Sequence, residues 1–142
     1  MMKRINHYII IDDDPTNNFI CETVIKRLDS SAVVLIFEDP EKAIVKILDM
    51  YSTSRAYLPT ILLLDINMPT MNGWEFLDVF KTFTDVLKEQ FEIYILSSST
   101  EDFSSKKREY SFISDFLQKP FTQASLEKVI SETSISYPKG GS

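Results

Sequence analysis

Short apolar runs recur along the chain, and the longer stretches between them carry apolar residues at helical spacing. The runs His7–Ile11, Val33–Phe37, Thr60–Leu64, Glu92–Leu96 and Ile113–Leu117 are rich in β-branched residues and leucine and show little polar alternation. Such runs suit parallel strands covered on both faces. Between the first two, Ile20, Val24 and Leu28 fall four apart and form one stripe of an amphipathic helix. Asp14 followed by Pro15 gives that helix a start, because an Asp side chain accepts an orphan amide bond and Pro suits the first helical position. The second helix reads through Ile44, Ile47, Leu48 and Tyr51, with Pro40 near its start. The third reads through Phe76, Leu77, Phe80, Phe83 and Leu87, the fourth is a weaker polar one across Asp102–Tyr110, and the last holds Leu126, Val129 and Ile130. Five strand–helix pairs joined by right-handed crossovers predict an α/β fold, an open parallel sheet with helices on both faces. Residues 1–135 read as one domain and 136–142 as a flexible tail, with no room for a DNA-binding output domain. Ser52–Pro59 is the longest connection.

Composition removes several functions from this frame. The chain has 142 residues, 44% of them hydrophobic, and its 15 basic against 21 acidic side chains give a formal charge of −6. That balance argues against a nucleic-acid module, which needs a basic face to displace counterions, and no polybasic patch suggests a membrane surface. With only three glycines, Gly73, Gly140 and Gly141, no glycine-rich loop can cradle a nucleotide phosphate. His7 is the one histidine, so a zinc site with several His ligands is impossible. A single thiol, Cys21, allows no intrachain disulfide and suits a reducing cytosol. The apolar run Tyr8–Ile11 is far too short for a signal peptide. The expected location is cytoplasmic.

The chemistry gathers where the strands end. In an open α/β sheet, ligands bind beyond the carboxyl ends of the strands at the point where strand order reverses. The first strand runs into Asp12, Asp13 and Asp14, the third into Asp65, the fourth into Ser97, Ser98 and Ser99, and the fifth into Lys119. If strands one and three are neighbours, Asp12, Asp13 and Asp65 meet, each pair repelling by about 4 kcal/mol at about 4 Å and an effective dielectric near 20. A hard divalent cation with oxygen ligands offsets this best, and Mg2+ is held by carboxylates, waters and commonly a phosphate. An Asp beside Mg2+ and Lys is placed to accept a phosphoryl group.

With these residues in place, the sequence resembles the receiver domain of two-component response regulators from about Tyr8 to Val129. Ile11-Asp12-Asp13-Asp14-Pro15 resembles the acidic pair that opens receivers. Leu64-Asp65-Ile66-Asn67-Met68-Pro69, with Met71-Asn72-Gly73, resembles the phosphoacceptor strand and its loop, and Lys119-Pro120-Phe121 the lysine motif. The resemblance implies a flavodoxin-like three-layer (βα)5 fold with sheet order 2-1-3-4-5 and a cis Lys119–Pro120 bond. It implies phosphorylation of Asp65, and Mg2+ held by Asp13, Asp65 and the main-chain carbonyl of Asn67, with Asp12 acting largely through coordinated water. Lys119 would pair with the phosphoryl oxygens, and Ser97 would be the switch hydroxyl that moves toward them. The implied partners are a sensor histidine kinase or histidine phosphotransfer protein as donor, and a downstream protein on the face made by the fourth helix, fifth strand and fifth helix, about Asp102–Ser131. A phosphorylation-dependent homodimer is a further expectation of the family. The chain is expected to be a phosphoacceptor with intrinsic autophosphatase activity rather than an enzyme acting on a separate substrate.

Three departures stand out. Ser97 gives up the methyl of the more usual Thr, Phe116 replaces a frequent Tyr and loses its hydroxyl while its ring can still report the switch, and Asn72 replaces an Asp on a surface loop. Blander readings fit the remaining residues: Asp14 as a helix cap, His7 as structural or solvated at the far edge, Ser98, Ser99 and Thr100 as loop or cap residues, Trp74, Phe76 and Phe80 as packing. Lys106-Lys107-Arg108 reads as an exposed charge run. Two other functions compete. A receiver-like interaction module that is never phosphorylated would not need the whole cluster, and a phosphoaspartate-type hydrolase lacks a second acid two residues after Asp65.

Overall fold

A computed structural model describes residues 5–52, 57–98 and 103–133. The expected tail, residues 136–142, lies outside the described residues, as do residues 53–56 of the connection Ser52–Pro59. Five strands alternate with helices: β1 (His7–Ile11), α1 (Pro15–Leu28), β2 (Val33–Phe37), α2 (Pro40–Ser52), β3 (Thr60–Asp65), α3 (Gly73–Phe80), α4 (Asp85–Lys88), β4 (Phe91–Ser97), α5 (Ser104–Glu109), β5 (Ile113–Gln118) and α6 (Gln123–Glu132). The strands form one parallel sheet in the order β2-β1-β3-β4-β5. This is the flavodoxin-like order, and its reversal point lies between β1 and β3.

Burial explains why the strands read as continuous apolar runs. Every residue of β3 and β4 is buried, and alternate residues feed two separate cores. On one face Ile9, Ile11, Leu62 and Leu64 pack against Ala43 and Ile47 of α2 and Phe76, Leu77 and Phe80 of α3. On the other, Ile10, Ile61, Leu63 and Leu96 pack against Cys21 and Ile25 of α1 and Leu126 and Val129 of α6. Each core excludes water along the full length of the central strands, so the strand ends are rigidly placed.

The helix starts follow the expected chemistry. Asp14 caps α1 by accepting from the Thr16 N–H at 2.9 Å, with Pro15 in the first turn. Asn72 caps α3 in a reciprocal pair with Glu75, and Thr122 caps α6 with Ser125, each arrangement meeting two orphan donors.

The third helix differs from expectation. The stripe from Phe76 to Leu87 holds as a buried face, but the helix ends at Phe80 and a separate turn, α4, begins at Asp85. The Thr82 hydroxyl donates back to the Val79 carbonyl at 2.6 Å, and Thr84 turns extended and caps α4 through the Leu87 N–H. Two threonines thus offer the backbone local bonds that compete with helix continuation. Apolar periodicity reports which face is buried and is silent about such a break. The fourth helix is described only from Ser104 to Glu109, shorter than Asp102–Tyr110, and Ser99 and Thr100 lie outside the described residues.

Candidate phosphoryl and metal site

Strand register brings the acidic groups together. Ile11 pairs with Leu64 across β1 and β3, so the next residues, Asp12 and Asp65, leave the sheet side by side. Asp65 pairs in turn with Leu96, and Ser97 with Gln118. The N–H of Lys119 donates to the Ser97 carbonyl at 2.8 Å, and the Lys119–Pro120 bond is cis. Asp12, Asp13, Asp65, Ser97 and Lys119 therefore share the carboxyl edge of the central strands. Carboxylate oxygens of Asp12, Asp13 and Asp65 lie within 4.8 Å of one another.

The three acids have different surroundings. Asp12 is fully buried and its oxygens are occupied: Oδ1 accepts from the Asp14 N–H at 2.9 Å, and Oδ2 from Asn17 Nδ2 at 2.6 Å and Lys119 Nζ at 2.8 Å. Asp65 is buried, accepts from the Asn67 main-chain N–H, and pairs with Lys119 at 3.3 Å. Asp13 is exposed at the mouth. Burial, with the Asp12 charge beside it, pushes the Asp65 carboxyl from its ordinary 3.8 up to about 6, against the pull of Lys119 and the Asn67 N–H. Burial also opposes the Lys119 charge, but Asp12 and Asp65 outweigh it and raise the ammonium pKa above its ordinary 10.5.

This donor set fits a hard cation. It consists of carboxylate oxygens, and Mg2+ with oxygens at about 2.0–2.1 Å draws its ligands to within about 3–4 Å of each other, a small contraction of the spacing present. Three carboxylates face one ammonium, so positive charge is in deficit. Asp13 and Asp65 could hold such an ion directly, because the Asp12 oxygens are already engaged.

Two residues of the site escape sequence reasoning. Asn17 and Asn18, buried on the first turn of α1, hold Asp12 by its carboxylate and by its main-chain carbonyl, the latter at 2.8 Å from Asn18 Nδ2. Their signal was available: two amides three and four residues after the cap Asp14 face the sheet beside the acidic pair. His7 sits at the amino end of β1, hydrogen-bonded to Asn6 at 3.0 Å. Phe116 is half-buried and stacks on Phe103, with centroids 5.0 Å apart. Trp74 stacks on Tyr110 at 5.5 Å, and Lys106, from the basic run, lies over its ring.

Gly73 ties the loop to the site. A Cβ there would stand 2.7 Å from the Asp65 carbonyl oxygen and 3.0 Å from the Ile66 Cα, both main-chain atoms that cannot swing away. Its N–H donates to the Ile66 carbonyl at 2.8 Å. Gly73→Ala is therefore expected to cost about 1–3 kcal/mol through overpacking, measured by urea denaturation, and to displace the Asp65 main chain. An unchanged midpoint would refute this close approach as the reason for glycine.

A family model described as the response regulator receiver domain matches residues 8–131. The chain belongs to that family. A two-component response regulator from Cytophaga hutchinsonii is 29% identical, with a TM-score of 0.80 over 92% of this chain and 97% of its own. A receiver protein from Dyadobacter fermentans is 23% identical, with a TM-score of 0.74 over 88% of this chain and 94% of its own. The chemotaxis protein CheY4 of Vibrio cholerae is 20% identical, at 0.67 over 89% and 97%. The last two likenesses show the fold. No curated protein matches the chain. No described helix of this receiver domain is long and apolar enough to cross a membrane.

Proposed function

We propose that this receiver domain accepts a phosphoryl group on Asp65 from the phosphohistidine of a sensor kinase or phosphotransfer protein, with Mg2+ bound by Asp13, Asp65 and the main-chain carbonyl of Asn67. The observation that carries the reading is the meeting of Asp12, Asp13 and Asp65 within 4.8 Å beside the Lys119 ammonium. An Asp65 oxygen forms the new bond to phosphorus as the bond from phosphorus to the donor imidazole nitrogen breaks, and the imidazole keeps that electron pair. Asp13, Asp65 and the Asn67 carbonyl would hold Mg2+, which when bound would supply neutralisation of charge on the transferring oxygens. Asn17, Asn18 and the Asp14 N–H hold Asp12 still, which keeps Lys119 at the site, and the Lys119 ammonium turns from the carboxylates to the phosphoryl oxygens.

Ser97 ends β4 one residue beyond the partner of Asp65 and is buried. Its hydroxyl is the switch group, drawn toward the phosphoryl oxygens and taking the following loop with it. Phe116, on the strand paired with β4, stacks against Phe103 at the start of α5 and lies 6.5 Å from Trp74. The ring cluster thus links β5 and α3 to the start of α5, on the surface formed by α5, β5 and α6 where a downstream protein docks. Phosphorylation biases an equilibrium between two arrangements of that face.

The test is incubation with acetyl phosphate and Mg2+, read by intact mass and by Trp74 fluorescence. The expected result is a mass gain of one phosphoryl group mapped to Asp65 and a fluorescence change that needs Mg2+. Beryllofluoride with Mg2+ should give the same optical change without the mass gain. No uptake and no optical response in folded protein would refute the reading and favour a docking module that works without phosphate.

A further inference from the structure

We propose that the outer edge of β2 is a self-association surface, on which a second copy of this chain adds its own β2 antiparallel about a twofold axis at Leu35. The sheet has two free edges, β2 and β5, and they are treated differently. The β5 edge is blunted. The Ser114 carbonyl accepts from Lys107 Nζ at 3.3 Å, the Phe116 N–H donates to the Asp115 carboxylate at 2.8 Å, Lys128 pairs with Asp115 at 3.1 Å, and the pairing with β4 shifts register. Charges and register breaks of this kind prevent edge-to-edge pairing.

β2 has none of these guards. Its sequence is Val33-Val34-Leu35-Ile36-Phe37, without charge, proline or glycine, and none of its five residues is buried. The Val33 N–H donates to the Asn6 carbonyl at 2.8 Å, and the Phe37 carbonyl accepts from the Asp12 N–H at 3.0 Å. By the alternation of a parallel strand, Val33, Leu35 and Phe37 turn their polar groups toward β1, while Val34 and Ile36 turn theirs outward. Among the described residues no side-chain hydrogen bond reaches those outward groups.

Register and charge select the occupant. With Leu35 opposite Leu35, Val34 faces Ile36 of the second copy, and the outward N–H and C=O groups of each meet as a hydrogen-bonded pair. Every cross-strand pair is then apolar. The acids that follow the strand, Glu38 and Asp39, fall opposite Ala32 and Ser31 of the second copy. A parallel copy would set Glu38 against Glu38 and would not close under a twofold axis. A five-residue strand pair is smaller than the roughly 1,200 Å² of a standard interface. The dimer is therefore expected to be weak and to form toward the upper end of the concentration range tested.

The experiment is sedimentation equilibrium of the full chain, without metal or phosphodonor, from about 1 μM to about 1 mM. The expected mass rises toward twice the 16.4 kDa of the chain. Val34→Pro removes an outward N–H and no bond to β1, and edge strands tolerate such a proline. It is expected to return the chain to monomer with unchanged circular dichroism, and Val33→Lys serves if the proline variant does not fold. Amide exchange at Val34 and Ile36 should slow at least about tenfold across that concentration range, with Leu35 protected throughout. A monomer at every concentration, or a dimer that survives these substitutions, would overturn the proposal, and neither result bears on phosphoryl transfer.

Discussion

Asp65→Asn is expected to lower phosphoryl uptake from acetyl phosphate to background and, in the metal-free protein, to raise stability. The first effect follows from chemistry, since an amide oxygen carries no charge to attack phosphorus and the replacement removes one of the carboxylates proposed to hold Mg2+. The second follows from linkage. The Asp65 carboxyl titrates near 6 in the folded chain, mainly because burial and the Asp12 charge disfavour its ionised form, and near 3.8 otherwise. An acid whose pKa rises on folding supports the fold below its unfolded pKa. That support is lost as pH climbs through the folded value, so the site destabilises metal-free protein above about pH 6. A rise from 3.8 to about 6 corresponds to roughly 3 kcal/mol. At pH 7.5 the Asn variant should therefore melt about 5–10 °C higher than wild type. At pH 3, below both values, where the folded and the unfolded wild-type residue are largely neutral, the gap should nearly close. Adding Mg2+ should reverse the order at pH 7.5, because wild type gains a ligand that its charged site binds and the variant does not. Equal melting temperatures at both pH values in metal-free buffer would show that Asp65 carries no folding penalty, and that its neighbours do not crowd it.

Much of this site was legible in the chain because the fold converts sequence neighbours into spatial ones in a simple way. Asp12 and Asp65 each follow an uninterrupted apolar run, and parallel strands that are buried on both faces leave little freedom in register. The first polar residue after each run had to emerge at the same edge. Asp14-Pro15 was readable for a similar local reason, since a cap depends on residues within one turn. The break after Phe80 was not, because Phe83 and Leu87 keep the apolar stripe while the hydrogen bonds of Thr82 and Thr84 end the helix. Asn17 and Asn18 give only a weak local signal, because amides in a helix usually face solvent. They are buried here only because Asp12 is buried beside them and needs donors. Lys106 looked like part of a solvated run, yet its ammonium lies 5.1 Å from the Trp74 ring centre. That contact depends on how α5 settles against α3, a tertiary fact with no local signal.

Lys119→Met is expected to be the most destabilising single change at the site, and its cost should depend on pH and on Mg2+. The ammonium lies 2.8 Å from Asp12 and 3.3 Å from Asp65, and its side chain is only 19% exposed. Removing one partner of a buried ion pair leaves the other charge uncompensated, which costs about 3–5 kcal/mol. Asp12 cannot relax toward water, being fully buried and tied to Asn17 and the Asp14 N–H. Lys119 has a folded pKa above its ordinary 10.5 despite burial, because Asp12 and Asp65 outweigh the desolvation. Its support is therefore complete below about pH 10 and fades only above that. The pH dependence of the loss must come from the carboxylates. At pH 8 the variant carries an uncompensated acidic cluster and should melt about 10–15 °C below wild type. At pH 5, below the value of about 6 to which Asp65 is raised, that carboxyl takes up a proton and part of the repulsion disappears. The gap should shrink accordingly. Mg2+ at pH 8 should recover much of the lost stability, since a divalent ion at Asp13 and Asp65 supplies the missing positive charge. Lys46→Met, on the exposed side of α2, should stay within about 0.5 kcal/mol of wild type at either pH. A Lys119→Met protein as stable as wild type at pH 8 without metal would mean that the carboxylates do not depend on the ammonium. The charge deficit that calls for a cation between Asp13 and Asp65 would then be absent as well.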